Sequence, residues 1–171
     1  MISWRIELQE DNSWFYKYNL TDANGEAFEA QAVSHWLLEV SPNVTLNDFW
    51  GFNGSPIELN DWETANGFDF PSALKLEYGG DGFGEWSFYS YRAPVWGDFF
   101  AKDGRVPGTN DWNYAWNTGF FDDDPLSPAE SGSIANKILR PDTETTVPEP
   151  TTIGLLGLGL AGLATRFRKR K

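Results

Sequence analysis

The chain has no cysteine, one histidine and one methionine in 171 residues. Without cysteine there can be no disulfide, no thiolate metal ligand and no cysteine nucleophile. Any Ser-His-Asp triad would have to use His35. That residue lies in an alternating run beside Ser34 and Trp36, and no Gly-x-Ser-x-Gly elbow occurs anywhere. A zinc centre with one histidine and no cysteine would need three carboxylates, a rare donor set. Basic residues are also scarce over most of the chain. Only eight of the 13 precede residue 148, against all but one of the 25 acidic side chains. A body this acidic repels phosphate backbones, which argues against nucleic acid as a partner. Long periodic runs of Ala, Leu, Lys and Glu are missing, which argues against a helical bundle.

Aromatic residues and turn formers are abundant. There are nine Trp, 13 Phe and six Tyr, with 17 Gly and 10 Pro. That mixture suits many short strands joined by turns. Ile2, Trp4, Ile6 and Leu8 alternate with polar residues, and Trp14, Tyr16, Tyr18 and Leu20 do the same after the polar turn Glu10 to Ser13. The pair reads as a hairpin. Trp36, Leu38 and Val40 share one face of the next run, with His35, Leu37 and Glu39 on the outer one. Leu74, Leu76 and Tyr78 continue the pattern. In the stretch 86–91, Trp86, Phe88 and Ser90 share one face and Ser87, Tyr89 and Tyr91 the other. Both faces carry aromatics, so alternation alone leaves open which is buried. One further run holds Trp96, Phe99 and Phe100, and Trp112, Tyr114 and Trp116 close the series. Seven or more strands at this spacing predict an all-β antiparallel sandwich, Ig-like or jelly-roll-like, over residues 1–121.

Residues 122–146 contain no aromatic side chain and are rich in Asp, Ser, Pro and Thr. They read as a polar linker, with one short helix near Ser133–Leu139. Asp122, Asp123 and Asp124 lack the EF-hand spacing and read as a solvated turn. No catalytic residue, metal ligand or cofactor site is expected. Carboxylates are plentiful enough to contain a glycosidase pair, but no two are singled out by context. Trp50, Trp62 and Trp112 lie in or near stretches rich in Asn, Asp and Gly. They are the candidate sugar-stacking side chains, with core packing as the ordinary alternative.

Residues 151–165 carry no charge and are rich in Leu, Gly and Ala. As a helix they would extend about 22 Å at ~1.5 Å per residue, short of the ~30 Å hydrocarbon core. Phe167 and the stems of neighbouring Arg and Lys could supply part of the difference. The glycines at 154, 157, 159 and 162 would weaken a helix in water and are better tolerated in a bilayer. Gly157 to Gly162 fits the dinucleotide-binding glycine pattern by letter, but too little chain follows for a βαβ unit. The cluster Arg166, Arg168, Lys169, Arg170 and Lys171 should remain cytoplasmic, so the body would lie across the membrane.

The order of Val147-Pro148-Glu149-Pro150, a short Gly/Leu-rich apolar helix over 151–165 and a terminal basic cluster over 166–171 resembles the PEP-CTERM sorting signal. The resemblance covers Val147 to Lys171. It implies that Pro148, Glu149 and Pro150 form a recognition motif for exosortase, a membrane-embedded sorting enzyme of bacteria that often make exopolysaccharide. The tail would anchor the protein to the membrane transiently. Two prolines, each fixing φ and removing a donor, hold such a motif extended for a protease-like groove. The N-terminus, Met-Ile-Ser-Trp-Arg, is already a strand pattern rather than a basic and apolar leader. The expectation is a start placed too far downstream or a fragment; the other option is a remnant that is never exported. The sequence thus predicts an exported, non-enzymatic envelope or extracellular-matrix protein of structural or adhesive role. The alternative is a module that binds carbohydrate, such as exopolysaccharide, through exposed Trp.

Overall fold

The computed structural model describes residues 1–21, 33–53, 57–63, 68–77, 84–105 and 112–141. Eleven strands are found there, in chain order β1 (Ile2–Leu8), β2 (Trp14–Leu20), β3 (Val33–Glu39), β4 (Phe49–Trp50), β5 (Ile57–Glu63), β6 (Asp69–Glu77), β7 (Glu85–Ser90), β8 (Pro94–Gly97), β9 (Phe99–Arg105), β10 (Trp112–Trp116) and β11 (Ile138–Pro141). All pairings are antiparallel. One sheet has the order β1-β2-β7-β4, a second β10-β9-β3-β6-β5, and a small third joins β11 to β8.

The first hairpin follows from its alternation. Ile2 pairs with Leu20, Ile6 with Tyr16 and Leu8 with Trp14. Its turn is closed by the Gln9 amide donating to the Ser13 carbonyl at 2.8 Å. Asp11 Oδ1 accepts from the Ser13 amide at 3.0 Å and from its hydroxyl at 2.6 Å, while Asn12 takes φ 63°, a conformation Asn tolerates better than most residues.

The two large sheets face each other across one core. Tyr16, Tyr18, Trp86 and Phe88 enter it from the four-stranded sheet, and Trp36, Leu38, Leu74, Leu76 and Phe99 from the five-stranded one. The Trp36 and Trp86 rings stack at 5.0 Å between centroids, and Tyr18 lies 4.7 Å from Trp36. The two buried tyrosines keep their hydroxyls satisfied, Tyr16 donating to the Arg92 carbonyl and Tyr18 to the Leu139 carbonyl, each at 2.7 Å. In β7 the core takes the Trp86, Phe88 and Ser90 face, all fully buried. Tyr89 is left half-buried and Tyr91 exposed on the other side.

Four expectations change. The run holding Trp96, Phe99 and Phe100 is two strands in different sheets, because the chain turns a corner at Asp98. The outer face of β3 is covered rather than open, since Leu37 packs with Phe68, Phe70, Ala73 and Phe100 in a second apolar cluster. Phe120 closes over it, 4.8 Å from Phe68 and 5.1 Å from Phe70. The stretch expected as a linker contributes β11, where Ile138, Leu139 and Arg140 are buried. No helix forms at 133–139; a turn through Ala135 and Asn136, both at positive φ, leads into the strand instead.

Among the described residues the one helical element is a 3-10 turn, Leu46–Asp48. None of them forms a helix long and apolar enough to cross a membrane. The apolar segment 151–165 and its basic cluster lie outside the described residues.

Candidate functional site

The three tryptophans singled out as sugar contacts stand on three edge strands, Trp50 on β4 of the four-stranded sheet and Trp62 and Trp112 on the opposite edges of the five-stranded sheet. The strands therefore do not gather them into one row. The side chains of Trp62 and Trp112 lie outside the described residues. Trp50 is half-buried and keeps different company from the one expected.

Register places Phe15 opposite Tyr89, and Tyr89 opposite Trp50. These three residues therefore form a continuous row across the outer face of the four-stranded sheet. Phe15 and Tyr89 are 5.0 Å apart. Tyr89 and Trp50 are 6.1 Å apart with rings within 16° of parallel, and the exposed Tyr91 leans on Trp50 at 4.8 Å. Gly51, with φ 67°, follows Trp50, and a Cβ there would stand 2.8 Å from the Tyr89 ring. Beside the row lies an open depression of about 440 Å³ bounded by Trp50, Tyr89, Gln9, Glu10, Asp11 and Ser13. Asp11 is held below the usual carboxylate range by its hydrogen bonds from the Ser13 hydroxyl and amide. Sequence reasoning named Trp50 and missed Phe15, Tyr89 and Tyr91. Aromatics on both faces of β2 and β7 were the signal that could have found them.

A second cluster sits at the corner between β8 and β9. Carboxylate oxygens of Glu39, Asp98 and Asp124 lie within 4.8 Å of one another. Two cations already occupy the space between them. Lys137 Nζ pairs with Asp98 and Asp124, each at 3.1 Å, and donates to the Asp122 carbonyl. Arg140 pairs with Glu39 at 3.3 Å and Asp124 at 3.1 Å. Burial pushes the Glu39 and Asp98 carboxyls up, with Arg140 opposing it at Glu39 and Asn117 and Lys137 at Asp98. Burial works against the Lys137 ammonium, but Asp124 and Asp98 together outweigh it, and its pKa is raised. The arrangement can lock the 122–141 segment onto the sheets. Asp124, expected in a solvated turn, is half-buried within it, while Asp122 and Asp123 are exposed.

His35 is half-buried in β3, opposite Glu77 on one side and Lys102 on the other. The motif Val147 to Pro150 and the basic residues Arg166 and Arg168 to Lys171 lie outside the described residues.

Comparison with curated proteins and with solved structures gives no match. A family model does match the C-terminus, and it spans the same three-part pattern of motif, apolar run and basic cluster. Residues 146–170 are a PEP-CTERM protein-sorting motif.

Proposed function

We propose that this is the non-enzymatic cargo of an exosortase, delivered to the cell envelope or extracellular matrix, where it serves a structural or adhesive role. The sorting motif at residues 146–170 carries the reading. It implies processing by exosortase and points to export. The apolar run 151–165 acts as a short transient anchor, and the five basic residues after it stay cytoplasmic. The domain in front is consistent with passive cargo. The one compact acidic cluster among the described residues is filled by Lys137 and Arg140, which leaves those carboxylates occupied as ion-pair partners.

The test is to replace Pro148, Glu149 and Pro150 together by alanine and to follow the protein in a host with exosortase. Expected is accumulation of the uncleaved chain in the membrane fraction while the unaltered protein reaches the surface. Equal surface delivery of both proteins would refute the assignment.

A further inference from the structure

We propose that the outer face of the four-stranded sheet is a glycan-binding platform, taking a polysaccharide of uncharged pyranose rings on Trp50, Tyr89 and Tyr91. The proposal stands independently of the sorting tail. Three observations carry it.

The first is the row itself. Phe15, Tyr89 and Trp50 stand on three adjacent strands, and Tyr91 extends the row, leaning on Trp50 while 60% exposed. The opposite face of the same sheet already supplies the core, so the fold does not need these rings for packing. A pyranose with equatorial hydroxyls presents a flat face of axial C–H groups. Those weakly positive hydrogens match the negative face of an aromatic ring. A row of rings wider than one aromatic gives successive sugars somewhere to lie.

The second is the polar flank. Gln9, Glu10, Asp11 and Ser13 border the depression beside Trp50 and Tyr89. A few placed polar groups around an apolar floor are the usual make-up of a small-molecule site. Carboxylates accept from sugar hydroxyls, and charge-assisted bonds of that kind are stronger than neutral ones. Asp11 Oδ1 is already used by Ser13 and the Gln9 side-chain amide already donates to the Glu7 carbonyl at 3.1 Å, so Glu10, the second Asp11 oxygen and the Gln9 amide oxygen are the groups that meet the ligand.

The third is charge. Glu10 and Asp11 make no ion pair among the described residues, while the nearby cations are taken, Arg5 by Glu7 at 2.6 Å and Lys17 by Glu85 at 2.9 Å. The depression is therefore negative, on a chain of net charge −12. Uronate, sulfate and phosphate groups would be repelled, which selects an uncharged glycan.

The experiment is affinity electrophoresis of the full chain in a detergent without a sugar headgroup. The gels contain soluble β-glucan, mannan, galactan or xylan as neutral probes and alginate or polygalacturonate as anionic ones. Expected is retardation by at least one neutral glycan and by neither anionic one. Trp50→Ala and Tyr91→Ala should each weaken it about tenfold, the scale of one lost stacking contact. Trp116→Ala, on the other sheet, should leave it unchanged. If Trp50→Ala fails to fold, Tyr91→Ala decides the matter, because its ring is mostly exposed. Three outcomes overturn the proposal: no neutral glycan retards the protein, the Tyr91 variant binds as tightly as the parent, or an anionic glycan or a lysine-rich peptide binds in preference.

Discussion

Burying a lysine ammonium costs several kcal/mol unless anions meet it. The Lys137 side chain is fully buried and has Asp98 and Asp124 at 3.1 Å. Lys137→Met should leave three carboxylates facing Arg140 alone. The expected cost is about 3–5 kcal/mol, a fall of roughly 10 °C in Tm for a chain of this size. The pH dependence has a definite sign. Because the folded pKa of Lys137 is raised, its contribution is complete below the unfolded value of ~10.4 and is lost as pH climbs through the folded one. Chemical denaturation should therefore show the parent losing its advantage over Lys137→Met in acid, as Asp98, whose carboxyl burial pushes up, takes a proton and stops pairing with the ammonium, and again in that alkaline range. Tyr18, raised well above its ordinary value by burial, weakens both proteins there alike and drops out of the comparison. Gly97 offers a second check. A Cβ at that position would run into the Arg140 guanidinium and stand 2.8 Å from Glu39. Gly97→Ala should displace Arg140 and lower Tm, whereas Gly132→Ala, with open space around it, should cost only the strain of its φ of 88°.

Among the elements, β11 reaches furthest past what the sequence suggested. It pairs with β8 in register, Ile138 with Gly97 and Leu139 with Trp96, and the Leu139 carbonyl accepts the Tyr18 hydroxyl. A chain ending at residue 121, where the aromatic-rich body stops, would lose this strand, Lys137 and Arg140 together. It should be unfolded or far less stable, while a chain ending at residue 141 should unfold cooperatively near the Tm of the full protein. Equal stability of the two by thermal circular dichroism would contradict the packing. The first hairpin, and the buried face of β3, were legible because their alternation runs for several residues with one face apolar. β11 was not, because four residues including a buried Arg and a Pro have no period, and Arg140 becomes acceptable inside only through Glu39 and Asp124, distant in sequence. The break at Asp98 was hidden for a related reason. Phe99 faces the main core and Phe100 the second cluster, so a strand with both faces covered reads as a continuous apolar run. The aromatic row was half legible: residue type flagged Trp50, but the partners that make it a row depend on strand register, which sets what stands beside what.

At the scale of the whole molecule, the tail and the body rest on different kinds of chemistry. The tail is read from linear order, a Pro-Glu-Pro motif, an apolar run and a basic cluster, so the sorting motif was legible without a fold. The body is read from two facing sheets whose shared core consumes one face of each. The acidic surplus of that body, eight basic residues against nearly all 25 acidic ones before residue 148, favours a well-solvated surface. Exosortase should remove or exchange the tail that carries the sorting motif. Intact mass of the mature protein, expressed in hosts with and without exosortase, tests it most directly. Loss of the residues that follow the Pro148-Glu149-Pro150 motif only in the host with exosortase is the predicted result. An intact C-terminus in both hosts would contradict that processing and leave residues 151–171 as a plain anchor.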